Sequence, residues 1–172
     1  NSFYKCSQLK EIGFSENSEL ETIEKEAFYD SAIKKISLPA SIVELKEGWY
    51  FGLPNLSKIR IDKRNSIFVS LNDQIILKKS IPEKENFDVV DYVVHDTQQI
   101  IIPNYIETIS AHSFAKTKIS NISFEKDSKL KTIERYAFNN CRRLRKILIP
   151  SDSNLEEINE GAFENSSIEK IS

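Results

Sequence analysis

A single phrase recurs along this chain, and that recurrence limits the fold more than any other feature. An aromatic anchor stands at Phe3, Phe28, Tyr50, Phe114, Phe138 and Phe163, at spacings of 25, 22, 64, 24 and 25 residues. Five residues before every anchor but the first lies an aliphatic: Ile23, Leu45, Ile109, Ile133 and Ile158. After each comes L/I-x-x-I-x-I/L/F, as in Leu9/Ile12/Phe14, Ile33/Ile36/Leu38, Leu56/Ile59/Ile61, Ile119/Ile122/Phe124 and Leu144/Ile147/Ile149. The last copy ends with Ile168 and Ile171. No unit of two dozen residues can bury its own apolar edge, so copies must stack and share one interior.

Each part of the phrase has a local reading. I-x-I has the period of a short strand with one buried face. Pro39, Pro103 and Pro150 follow it, removing a backbone donor and turning the chain out of the strand. The aromatic segment is expected to form a short helical, 3-10 or irregular turn. The step from strand end to the next core aliphatic is seven residues after Leu38 and Ile102 and nine after Phe14, Phe124 and Ile149. Two extra loop residues cost little closure entropy.

The stretch 62–99 breaks the rhythm. SIFVSLNDQIILKK reads as two strands around Asn72–Asp73, a hairpin signal lacking the preferred Gly. FDVVDYVVHDTQQIII is a second β-rich run, and the polar KKSIPEKENFD between them reads as a surface loop. The chain is therefore expected to be one solenoid over 1–172, regular over 3–61 and 100–172. Residues 62–99 would form a degenerate coil plus an irregular β-rich insertion in register with the stack, with a domain boundary as the alternative.

ILIPSDSNLEEINEGAF (Ile147–Phe163) and ISLPASIVEL (Ile36–Leu45) resemble the BspA-like class of leucine-rich repeat proteins. The resemblance implies a right-handed leucine-rich repeat solenoid, with short parallel strands on one face and turns on the other. It implies no catalytic residues and no cofactor. Members of the class are surface or secreted proteins of host-associated microbes, several of them adhesins. The expected role is thus a non-enzymatic module binding a host or microbial surface protein or an anionic glycan. A structural spacer presenting another domain is the alternative, and the expected location is the cell surface or outside the cell.

Bulk properties narrow the rest. With 40% hydrophobic and 29% charged residues the chain has a globular composition, and no apolar run reaches the roughly 18–20 residues of a membrane span. A net charge of −2 argues against nucleic acid as a partner. Four glycines supply neither GxGxxG nor GxxxxGK[ST]. The first residues have no apolar leader, and both ends fall within a repeat; a solenoid needs caps. Either the natural protein continues both ways or its ends are covered by self-association.

Cys6 and Cys141 share one repeat position, five or more rungs apart. At about 4.8 Å per rung that exceeds 20 Å, beyond a disulfide. His95 (before Asp96) and His112 (before Ser113) are the two histidines. With two distant cysteines they make no plausible metal set, so neither metal nor catalysis is expected. Three N-x-S sequons, at Asn55, Asn121 and Asn165, are compatible with export.

The outward strand positions say more. The column before the first Ile reads Glu11, Lys35, Lys58, Gln99, Asn121, Lys146, Lys170, and the one before that Lys10, Lys34, Ser57, Gln98, Ser120, Arg145, Glu169. With Arg60 these positions hold eight cations (Lys10, Lys34, Lys35, Lys58, Arg60, Arg145, Lys146, Lys170) against Glu11 and Glu169. Their net +6 leaves −8 for the remainder. Lysines on neighbouring rungs repel, a cost that an anionic ligand would offset. Solubilising the sheet and blunting stray pairing is the plainer role for them.

Overall fold

Alternation in the I-x-I phrases becomes a ladder of short strands whose first and third residues face solvent. The computed structural model describes residues 2–151 and 153–171. It winds in coils of short, mostly parallel strands, with no helix among the described residues. It divides into two compact units, Asn1–Gln74 and Ile75–Ser172.

The first unit holds β1 (Glu11–Gly13), β2 (Thr22–Ile23), β3 (Lys35–Leu38), β4 (Glu44–Leu45), β5 (Lys58–Ile61) and β6 (Phe68–Leu71). β1, β3 and β5 pair in parallel, setting Ile12, Ile36 and Ile59 side by side. β2 pairs in parallel with β4, matching Ile23 to Leu45. Ile36, Leu38 and Ile59 are buried while Lys35, Ser37 and Arg60 are exposed, as a period of two requires.

The second unit holds β7 (Ile75–Lys78), β8 (Val89–Val93), β9 (Gln99–Ile102), β10 (Thr108–Ile109), β11 (Asn121–Phe124), β12 (Thr132–Ile133), β13 (Lys146–Ile147), β14 (Glu157–Ile158) and β15 (Lys170–Ile171). Two parallel ladders run through it: β9-β11-β13-β15 and β8-β10-β12-β14. Both loop lengths arrive at one register, since Ile109, Ile133 and Ile158 are partners in sequence. The carbonyls of Pro39, Pro103 and Pro150 each accept a bond from the amide three residues on, so each proline opens the turn that follows its strand.

The aromatic segments differ from the expected helical turn. Residues two before and two after the anchors have left-handed backbone: Glu26 and Asp30, Gly48 and Gly52, His112 and Lys116, Tyr136 and Asn140, Gly161 and Asn165. Two such residues in five stop a helix. They also turn amides along the stack, so that Phe3 N–H bonds the Ala27 carbonyl, Phe114 N–H that of Ala137 and Phe138 N–H that of Ala162. The turn side is thus hydrogen-bonded from coil to coil, as the strand side is. At Gly52 (φ +73) a Cβ would lie 2.7 Å from the Asp30 backbone nitrogen, so the close approach of these two coils needs glycine.

The rings fill the space between coils. Phe3 stacks on Phe28 at 5.4 Å in the first unit, and Phe114, Phe138 and Phe163 form a column at 4.8 and 5.2 Å in the second. The third copy departs from the expected anchor. Trp49, at 1% exposure, fills the core and meets Phe28 edge-on, while Tyr50 is half-buried. Trp49 stands where other copies carry Ala27, Ser113, Ala137 and Ala162, so the large ring moved one position along.

The middle stretch resolves into named parts. Asn72 and Asp73 both have positive φ and Gln74 N–H bonds the Leu71 carbonyl, the type I′ geometry of a two-residue hairpin turn built without glycine. β7 runs antiparallel to β8, with a bulge that leaves Asp91 as the extra residue, ion-paired to Lys78 at 2.6 Å. Val89 and Val90 then pair in parallel with Thr108 and Ile109, so a full coil begins at β8. From Val90 to Ile100 this coil takes ten residues, where Ile109 to Ile122 takes thirteen. Its turn is shorter and has no anchor ring; Tyr92, Val93 and Val94 are buried instead.

The loop between β7 and β8 is tied down by Asp88, which is 2% exposed. Its carboxylate accepts bonds from Ser80 N (2.8 Å), Ser80 Oγ (2.7 Å) and Lys84 Nζ (2.5 Å). Lys84 also reaches Glu107, which in turn pairs with Lys131 at 2.9 Å. Burial alone would raise the Asp88 pKa, but the Lys84 and Ser80 bonds outweigh it and hold the carboxyl below its ordinary 3.8. A folded pKa below the unfolded one stabilises above the unfolded value, and the gain is lost as pH falls through the folded one. Asp88→Asn is therefore expected to lower the thermal midpoint at pH 7. The gap from wild type should close as pH drops below 3.8; a gap that stays constant with pH would show that the charge contributes nothing.

Candidate functional site

The outward residues flanking each buried isoleucine form the candidate binding faces, and the strand registers fix their neighbours. In the first unit Glu11, Lys35 and Lys58 are direct partners across β1, β3 and β5, and Gly13, Ser37 and Arg60 form the next row. Lys10 and Lys34 precede β1 and β3 and are exposed; the Lys10 carbonyl accepts from Lys34 and Lys35, and the Lys34 carbonyl from Ser57 and Lys58. Lys35, Lys58 and Arg60 thus stand at outward positions of the β1-β3-β5 sheet, with Lys10 and Lys34 exposed at the entry to β1 and β3.

Two of these cations are engaged. Lys35 lies 3.5 Å from the Glu11 carboxylate, and Arg60 donates from Nε to Asp73 at 2.8 Å. The Arg60 bond is the largest influence holding the Asp73 carboxyl below its ordinary range. Asp73 reaches this face because its turn folds back on β5, where Ile59 N–H bonds the Asp73 carbonyl at 2.7 Å. The linear sequence placed Asp73 in a turn and offered no sign of this return. Lys10, Lys34 and Lys58 make no ion pair among the described residues.

In the second unit Lys146 and Lys170 are direct partners across β13 and β15, and Asn121 is the partner of Gln99 across β9 and β11. Arg145 pairs with Glu169. Lys146 and Lys170 are exposed and have no ion pair among the described residues. Ile101 and Leu148 also face outward here, with 62% and 46% of their surface exposed. Sequence reasoning counted only charge and passed over both, although the run Gln99–Ile102 shows Ile101 at an outward position.

The histidines and cysteines take part in packing. His112 stacks on Tyr136 at 5.2 Å. His95 is half-buried, and burial pushes its imidazole down against the opposing pull of Asp96, which bonds Lys118 Nζ at 2.6 Å. Cys6 and Cys141 are free thiols; Cys141 Sγ donates to the Phe114 carbonyl, and burial pushes its pKa up to about 11. A thiol held protonated is a poor nucleophile. Among the described residues no group of three or more His, Cys, Asp or Glu could hold a metal ion.

A family model described as the BspA-type leucine-rich repeat region matches residues 1–86 and 91–172, in six copies. It extends into the middle stretch, where the repeat is hardest to read by eye. The chain is similar to the pneumococcal vaccine antigen PcpA at 18% identity and a TM-score of 0.72, over 96% of this chain and 45% of that one. It is also similar to a leucine-rich repeat protein from Eubacterium ventriosum (19%, TM-score 0.55, 98% and 67% covered). A leucine-rich cell surface protein from Faecalibacterium prausnitzii matches at 17%, with a TM-score of 0.51 and 99% and 61% covered. The chain spans less than two thirds of the first and third of these, and at such identities the likeness speaks for the fold. No curated protein matches it. The chain belongs to the BspA-type leucine-rich repeat family.

Proposed function

We propose that this chain is a non-enzymatic recognition module of a protein displayed on or released from the cell surface, and that its strand faces bind an anionic partner. The observation that carries the reading is the register. Lys35 stands beside Lys58, and Lys146 beside Lys170. Paired strands are about 4.8 Å apart, so these ammoniums repel one another in the free protein. An acidic protein surface or anionic glycan laid across the strands would relieve that repulsion and draw on several side chains held by a rigid scaffold. The family, and the descriptions of two neighbours as a cell surface protein and a vaccine antigen, support the location.

Charge reversal tests it. Lys35→Glu, Lys58→Glu and Lys146→Glu together should weaken binding to heparin or to an acidic protein surface by at least about tenfold at low salt. The salt dependence of what remains should flatten, because the attraction between exposed charges that salt screens, almost fully beyond about 10 Å at 0.1 M, has been removed. Unchanged affinity and salt sensitivity would point to a structural spacer.

A further inference from the structure

In the second unit the outward row of strand residues departs from the polar pattern of the first, which carries Gly13, Ser37 and Arg60 in the equivalent places. The partner of Ile101 on β11 is Ser123. Since Ile122 pairs with Ile147, Leu148 lies on the far side of the same serine. With strands about 4.8 Å apart, two exposed aliphatics stand about 10 Å from each other with a short hydroxyl side chain between them. In the neighbouring row the ammoniums of Lys146 and Lys170 are adjacent and without ion pairs among the described residues.

Single exposed aliphatics are ordinary. A pair of them beside two cations without ion pairs sets a composite requirement, one apolar group and at least one anion about two residues' rise apart, roughly 6.6 Å. Building on the anionic-partner reading, we infer that this face takes an extended protein segment in which a carboxylate and an aliphatic side chain stand two residues apart, on one face, and not a glycan. A sulfated or uronate-bearing glycan answers the lysines but sets hydrated groups against Ile101 and Leu148, where nothing repays their desolvation. An acidic, aliphatic peptide satisfies both rows at once.

The test uses the intact chain and three probes: a synthetic peptide of about twelve residues repeating Asp-Ser-Leu-Ser, which sets Asp and Leu on one face when extended, the same peptide with Leu replaced by Ser, and heparin. The Leu peptide is expected to bind about tenfold more tightly than the Ser peptide. The double variant Ile101→Ser, Leu148→Ser should erase that difference and leave heparin affinity unchanged. Both side chains are exposed, so the variant should fold normally. Equal binding of the two peptides, or heparin binding more tightly than both, overturns the inference. If Lys146→Glu still weakens whatever binds, only the choice of partner falls; if it changes nothing, the anionic-partner reading falls with it.

Discussion

Phe138→Ala is expected to destabilise the second unit by about 4 kcal/mol, the largest effect of any single ring in it. The side chain is fully buried and lies between Phe114, 4.8 Å away, and Phe163, 5.2 Å away with its ring plane nearly parallel. Truncation removes the transfer free energy of a phenyl ring, two stacking contacts of about 0.5–1.5 kcal/mol each, and leaves a cavity. Collapse of that cavity is opposed on both sides. Phe114 N–H to the Ala137 carbonyl (2.9 Å) and Phe138 N–H to the Ala162 carbonyl (2.7 Å) hold the coils at their spacing. Phe138→Leu should recover more than half of the loss by filling most of the volume. Urea denaturation of the two variants reads this directly, and a loss below about 1 kcal/mol for alanine would mean the rings are not what packs the coils.

Asn65→Ala should cost the first unit about 3 kcal/mol, although it deletes only an amide. Asn65 is 7% exposed, and its side chain makes four bonds. Nδ2 donates to the carbonyls of Ala40 (3.0 Å) and Ile42 (2.7 Å), and Oδ1 accepts from the amides of Ile67 (2.9 Å) and Phe68 (2.7 Å). The residue thus pins the loop after β5 to the coil beneath it. Removal leaves four backbone groups to find water or go unpaired, at about 1–3 kcal/mol for each one left buried. Asn65→Asp separates the roles: it keeps the acceptor for Ile67 and Phe68 but turns an oxygen toward two carbonyls. It should be at least as damaging as alanine at neutral pH. Chemical denaturation and exchange of the Ile67 and Phe68 amides measure both; wild-type protection of these amides in the alanine variant would refute the assignment.

The positions that could be read in sequence are those where packing leaves one solution. Ile36, Ile122 and Ile147 each sit between like residues on adjacent coils, so only an aliphatic fits and the period survives. Glu26, Gly48, His112, Tyr136 and Gly161 share one backbone conformation but no chemistry, so their column looks variable and conceals the left-handed turns. The coil that begins at β8 could be read only as a degenerate one, because it shortens its turn and omits the ring, the two features that define the repeat elsewhere. Trp49 was passed over because the pattern placed the ring at Tyr50. Asn65 is one polar residue whose four partners lie 2 to 25 positions away, a relation no local motif encodes.

The lysine columns could be read because they follow from the same register as the core. What those columns meet could not. Asp73 neutralises Arg60 through a turn that folds back, and Glu169 pairs with Arg145 from the next coil. The residual positive character therefore rests on Lys10, Lys34 and Lys58 in the first unit and on Lys146 and Lys170 in the second.

Successive coils pair in parallel around shared interiors, and cross-strand proton contacts in the isotopically labelled chain test that most directly. Gln99–Ile102 against Asn121–Phe124, and Lys35–Leu38 against Lys58–Ile61, should show the amide-to-alpha pattern of parallel strands, matching Ile100 to Ile122 and Ile36 to Ile59. Close alpha-to-alpha contacts between these segments, the mark of antiparallel pairing, or no contacts between them at all, would contradict it.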